Sequence, residues 1–289
     1  MKKKIISVIV GVVGLAAAYF VVSGISHIVY NRPVDNAATE STAETTEQGT
    51  EEAKAAMTED EINAMLAGMK ATETAETATE EQSEVIPVKF EELQAVNPDI
   101  YAWITVPGTV IDYPILQHAS DNTYYLMHNI DGSYGYPGCV YTENMNSKDF
   151  TDNNTVIYGH NMKNGSMFAQ LHKFEDPDFF NENREVLIYL PDEVLHYTIF
   201  AAHIYDDRHL LYSFDFTDPE VYQKYLDSIF STRDMSANID KDVTVTADDQ
   251  IITLVTCIGS QPNNRLLVQA VLTDREPGAE AAQSATTTE

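Results

Sequence analysis

The chain has 289 residues, with 45 Asp and Glu against 17 Lys and Arg, and a formal net charge of −28. That sign argues against nucleic acid as a partner, because a phosphate backbone would be repelled, and it disfavours close contact of the folded body with anionic lipid. It fits an acidic, solvated surface and favours a cationic, amine-bearing partner.

Lys2, Lys3 and Lys4 precede an apolar stretch from Ile5 to Ile25, long enough at helical rise to cross a bilayer. Ala16-Ala17-Ala18 offers small residues for a signal-peptide cleavage site, but the apolar run continues through Tyr19-Phe20-Val21-Val22. That exceeds the usual signal length and favours an uncleaved anchor. The lysines keep the N-terminus cytoplasmic by the positive-inside rule, so the remainder is expected outside the cell. Residues 1–30 are therefore read as a single transmembrane helix with its lysine flank.

Residues 31–85 are dominated by Ala, Thr and Glu with almost no aromatics. Such a composition buries too little apolar surface to offset the entropy of ordering, and predicts a disordered, acidic stalk. Within it, Met57 to Leu66 has a helical pattern with Thr58 as cap and Glu61 three residues on, expected to be transient. The last residues, 276–289, repeat the stalk's composition and are expected to form a loose tail.

Residues 86–275 are long enough for one well-buried domain. A helix is predicted over Phe90–Val96, ended by Asn97-Pro98. Ala102–Val106 and Val110–Leu116 flank a Pro107-Gly108 turn and read as a strand pair. Strands follow at Gly138–Tyr141 and Thr155–Tyr158, then a short helix around Met167–Leu171. Glu185–Leu190 and Val194–Phe200 flank Pro191-Asp192-Glu193, another hairpin signal. Asp218 as N-cap with Pro219 in the first turn opens a helix to Phe230, whose buried side Val221, Tyr225 and Phe230 mark approximately. Ile251–Cys257 and Arg265–Leu272 are the last strands. Many short strands with few helices predict a mainly β fold, a barrel or sandwich with helical insertions.

Three residues carry the chemistry. Cys257 closes an apolar strand, Arg265 opens the next, and His160 ends an earlier one. A thiol attacks a carbonyl as thiolate, which needs a positive neighbour and access. An imidazole can give and then take a proton near neutral pH. A guanidinium stays protonated and suits a carbonyl oxygen or its oxyanion. Each alone has a plainer reading: a core cysteine, a turn histidine, a surface arginine. The other cysteine, Cys139, raises the alternative of a disulfide, although both cysteines lie inside strand-like sequence. His196 and His203 lack zinc-site spacing, so no metal is expected. Tyr124, Tyr125, Tyr134 and Tyr136 either pack under loops or line a peptide groove.

Thr253-Leu254-Val255-Thr256-Cys257 resembles the T-L-x-T-C signature of sortases, with Arg265 at the start of the next strand as in that family. Tyr158-Gly159-His160-Asn161-Met162 and the residues on to Phe168 resemble the histidine region of class B sortases. Asn97–Ile104 and Ile111–Ile115 are similar to that class's barrel start, and the helix from Asp218 lies where the class carries its insertion. The resemblance covers Phe90 to Asp274.

It implies an eight-stranded sortase-type β-barrel, preceded by the transmembrane helix, and makes residues 86–275 a sortase-like catalytic domain. It further implies a membrane-anchored transpeptidase that cleaves a surface protein's C-terminal sorting signal, of N-P-x-T-N or x-P-x-T-G type, after threonine. The acyl group would sit on Cys257 as a thioester and pass to an amine of peptidoglycan or its lipid-linked precursor, with no cofactor. His160 would be general acid and then base, and Arg265 the oxyanion and orienting residue. Some class B members carry an acidic residue two positions after the cysteine; here it is Gly259. A triad through that position is excluded. The link from Ile258 to Asn264 is short for the family.

Two alternatives stay open: an exported cysteine peptidase that hydrolyses the thioester, and a non-catalytic wall-binding module. Papain-like peptidases place cysteine before histidine, the reverse of the order here. L,D-transpeptidases keep the two close, whereas His209, the nearest upstream histidine, is far from Cys257.

Overall fold

A computed structural model of the chain describes residues 59–70 and 86–278. These belong to one compact unit, Lys54–Glu289; the other unit, Met1–Ala53, lies outside the described residues, and with it the expected membrane span. Among the described residues no helix is long and apolar enough to cross a membrane.

The elements are α1 (Glu59–Met69), α2 (Phe90–Val96), β1 (Ile100–Thr105), β2 (Asp112–Leu116), β3 (Val140–Thr142) and β4 (Asn154–Tyr158). Then come a 3₁₀ helix (Phe168–Glu175), α3 (Pro177–Glu182), β5 (Glu185–Tyr189) and β6 (Glu193–Asp206). The chain continues through α4 (Leu210–Ser213), α5 (Pro219–Phe230), β7 (Asn238–Ile239), β8 (Ile251–Ile258) and β9 (Gln261–Pro277). The sheet order is β5-β1-β2-β3-β4-β8-β9-β6-β7, and a further β5–β6 pairing closes the ring. The result is the expected eight-stranded barrel, with the two-residue β7 appended to β6. β2–β3 and β4–β8 are parallel; the other pairs are antiparallel.

Period-two alternation explains how one strand serves two cores. Along β8, Ile252 and Leu254 join the interior cluster, while Ile251 and Val255 join an outer cluster beneath α5. Asp218 caps α5 by accepting from the backbone N–H groups of Glu220 and Val221, with Pro219 in the first turn as predicted. The buried face is Tyr222, Tyr225, Leu226 and Ile229, an i, i+3, i+4, i+7 stripe; Val221 and Phe230 flank it half-buried. α2 and the β1–β2 hairpin fall where the sequence put them. The helix expected around Met167 is a 3₁₀ helix that begins at Phe168.

β6 runs on to Asp206 and β9 begins at Gln261, both longer than the sequence suggested, and two domain boundaries also differ from expectation. Residues 59–69, read as part of a disordered stalk, form α1 and bury Ile62 and Leu66 in a cluster with Phe90, Leu93 and Trp103. The cause is a partner surface: Ile62, Met65, Leu66 and Met69 share one face, and Lys70 pairs with Asp112 at 2.8 Å. Asp112 also accepts from the Trp103 indole N–H at 2.8 Å and the Thr105 hydroxyl at 2.7 Å. At the other end, β9 runs past residue 275, because Glu276 and Pro277 lie opposite Val194 and Glu193 of β6.

Candidate active site

Alternation places Cys257 on the barrel's outer face, two residues beyond Val255, where the side chain is exposed. Cys257 and Cys139 are both free, so the disulfide alternative is not realised. Cys139 is buried and its thiol donates to the His128 carbonyl at 3.4 Å. Burial pushes that thiol far above its ordinary pKa, which leaves Cys257 as the accessible sulfur.

β4 runs parallel to β8 with Tyr158 opposite Val255. The ladder extends one step further: the Gly159 N–H donates to the Val255 carbonyl at 3.1 Å, and the Thr256 hydroxyl to the Gly159 carbonyl at 2.9 Å. His160 therefore arrives level with Cys257. On β4, Val156 and Tyr158 belong to the outer cluster, and continued alternation puts His160 on that same face. Gly159 is required by close approach: a Cβ there would stand 2.5 Å from Cγ of the fully buried Phe168 ring. The Phe168 N–H in turn donates to the His160 carbonyl at 2.9 Å.

The His160 Nε2 lies 2.7 Å from the Leu126 carbonyl. A carbonyl only accepts, so Nε2 carries a hydrogen, and Nδ1 is the nitrogen left to exchange a proton. The Tyr136 ring, half-exposed, meets the His160 ring in a T-shaped contact at a centroid distance of 5.2 Å. Tyr125 is buried under its loop, whereas Tyr134 and Tyr136 stand out from the surface.

Arg265 is the direct antiparallel partner of Cys257 across β8 and β9. Opposed residues of an antiparallel pair project from the same face. The Arg265 Nη1 donates to the Pro262 and Asn264 carbonyls, each at 2.9 Å, which fixes the fork and leaves Nη2 and Nε–H uncommitted by these bonds. The short link is a tight turn at Gly259-Ser260, since Ile258 already pairs with Gln261. The fold thus brings all three sequence-predicted residues to one end of one face.

A further set was not foreseen as functional. The Cys257 carbonyl, at a register irregularity between Cys257 and Ile258, accepts from the Asn161 side-chain amide at 2.9 Å. It also lies 3.1 Å from the His172 Nε2, and the His172 Nδ1 lies 2.8 Å from a Glu175 carboxylate oxygen. Asn161 was within reach of sequence reasoning, as the neighbour of His160 in a motif already singled out. His172 and Glu175 carried no signal, because only the fold-back of the 3₁₀ helix brings them to β8.

A closed barrel that presents an exposed thiol, an imidazole and a fixed guanidinium on one face defines a class of cysteine acyl-transfer enzyme. Comparison with known proteins narrows the class. A family profile described as Sortase domain matches residues 104–273. Sortase B of Listeria monocytogenes is 34% identical over 195 residues, which is 67% of this chain and 76% of the relative. Among solved structures, sortase B of Clostridium perfringens superposes with a TM-score of 0.58 at 33% identity, over 64% of this chain and 100% of that one. A Staphylococcus aureus sortase B–substrate complex gives a TM-score of 0.57 at 27% identity, over 64% of this chain and 85% of that one. The chain belongs to the sortase family, in its class B, and is a cysteine transpeptidase.

Proposed function

We propose that this transpeptidase cleaves a C-terminal sorting signal of N-P-x-T-N or x-P-x-T-G type after its threonine and transfers the acyl part to an amine of peptidoglycan or of its lipid-linked precursor. The Cys257 sulfur attacks the threonine carbonyl carbon, and the tetrahedral oxyanion is held by the free donors of Arg265. As the C–N bond breaks, His160 gives a proton to the leaving amine. The acceptor amine then attacks the thioester, His160 takes its proton, and the C–S bond breaks to return the thiolate. Anchored by the apolar segment of residues 1–30, with its N-terminus cytoplasmic, the enzyme works on the outer face of the membrane, where surface proteins and wall amines meet.

The observation that carries this reading is the common face of Cys257, His160 and Arg265 at the ends of β8, β4 and β9. A peptide substrate is supported by the S. aureus relative, which was solved as a substrate complex. The test incubates the full chain with quenched peptides that bear each signal type, with and without an amine acceptor. Amine-ligated product is expected, and a Cys257→Ala chain should form neither product nor thioester. Free acid alone, with the acceptor present, would assign the chain to hydrolysis instead. Unaltered function in Cys257→Ala would leave only a wall-binding module.

A further inference from the structure

The parallel ladder between β4 and β8 stops one rung short of the nucleophile. The Gly159 N–H serves the Val255 carbonyl, and regular continuation would bring the backbone N–H of residue 161 to the Cys257 carbonyl. Instead the chain leaves the sheet at His160, and Asn161 pairs with Met167 in an isolated bridge. The peptide that carries the nucleophile is thus held by side chains where a strand would ordinarily hold it.

Those side chains form a closed triangle. The Asn161 Nδ2 is 2.9 Å from the Cys257 carbonyl oxygen and 3.0 Å from the His172 Nε2, which is 3.1 Å from that same oxygen. The Glu175 carboxylate accepts from the His172 Nδ1 at 2.8 Å, so Nδ1 carries a hydrogen and the ring's orientation is set. With a neutral ring, Nε2 accepts from Asn161 and fixes the amide that feeds the carbonyl. With a protonated ring, Nε2 donates to the carbonyl itself. Either form holds the Cys257 peptide plane.

Resting on the transpeptidase reading above, we infer that His172, oriented by Glu175, is a positioning residue for the nucleophile: with Asn161 it replaces the missing ladder rung and fixes the Cys257 backbone, and through it the sulfur, relative to His160 and Arg265. It touches no reacting atom. Its effect is on geometry, where displacements of about 1 Å are costly to a chemical step.

The test uses the full chain with His172→Leu, which removes both nitrogens, His172→Gln, which keeps a planar group with polar atoms, and Glu175→Gln, which keeps the ring but weakens its anchor. Four quantities are read: kcat and KM for transfer from a quenched signal peptide to an amine, the rate of Cys257 alkylation by iodoacetamide followed by intact mass, and the melting temperature. His172→Leu should lower both kcat and the alkylation rate roughly tenfold, the size of one lost hydrogen bond, with KM within about twofold of the parent. His172→Gln should recover most of that loss, and Glu175→Gln should cost about twofold to threefold in kcat. The inference is overturned by a His172→Leu chain that keeps both rates, by one whose KM alone rises, or by a His172→Gln chain that melts like the parent yet is as slow as His172→Leu. Should His172→Leu not fold, an unchanged kcat in Glu175→Gln overturns it equally. If the parent chain turns over no peptide, the transpeptidase reading fails, while the alkylation rates still judge the positioning role.

Discussion

Gly159→Ala tests whether the histidine is held in place by the packing described. The added Cβ would lie 2.5, 2.7 and 3.0 Å from the Cγ, Cδ2 and Cδ1 atoms of Phe168. Carbon atoms pack at about 3.5–4.0 Å, so the ring must withdraw by roughly 1 Å. Phe168 is 0% exposed and sits in the barrel's interior cluster with Leu171 and Phe174, so the ring has no open space to enter. Overpacking of this kind costs about 1–3 kcal/mol, and for a folded unit of this size that lowers the melting temperature by about 3–10 °C. Activity should fall further than stability. The Phe168 N–H holds the His160 carbonyl at 2.9 Å, and a shift of about 1 Å at a proton-transfer group costs on the order of a hundredfold in turnover. Calorimetry and the peptide-transfer assay read the two effects separately. Pairing Gly159→Ala with Phe168→Leu should restore part of the loss, with a coupling of about 1 kcal/mol or more. A Gly159→Ala chain that melts and turns over like its parent, or strict additivity in the cycle, would refute the argument.

Arg265→Lys keeps the charge but loses the planar fork and the paired bonds to the Pro262 and Asn264 carbonyls; at least a tenfold drop in turnover with little change in melting is expected, and parent-like kinetics would count against a role for the fork. Leu66→Ala should destabilise the chain by about 1–2 kcal/mol, below the usual range for a core leucine because α1 packs on one side only, and an unchanged melting temperature would place α1 off the barrel. Burial depresses the pKa of His203, whose Nε2–H donates to Gln269 at 3.0 Å. The unfolded chain therefore takes up this proton first on acidification. Stability from this residue is present above a pH of about 6.5 and is lost as pH falls from there toward the lower folded value. Between pH 7.5 and 5.5 the parent's melting temperature should fall more steeply than that of His203→Gln; equal slopes would dismiss the linkage.

How much of this could be read from the chain depends on where each feature's cause lies. That Cys257 closes one strand and Arg265 opens the next was legible because apolar alternation is local, whereas the tight turn was not, since Gln261–Asn264, read as a link, carry too little apolar pattern to show that they belong to β9. The cap of α5 was legible for the same reason, while its buried stripe came out one residue over, since two of its four members are tyrosines whose polarity leaves the face ambiguous. α1 was underestimated because its composition matches the stalk around it, and its order comes from Phe90, Leu93 and Trp103, far along the chain. His172 was illegible for a stronger reason. Its role depends on the point at which β4 leaves the ladder: His160 is the last residue level with β8, and Asn161 turns to pair with Met167, so the backbone rung to the Cys257 carbonyl is missing. Wherever a catalytic side chain is delivered by ending a strand early, a backbone acceptor is left to be satisfied by something distant in sequence. Here that acceptor belongs to the nucleophile itself, so the residues that satisfy it act on the reaction through geometry alone.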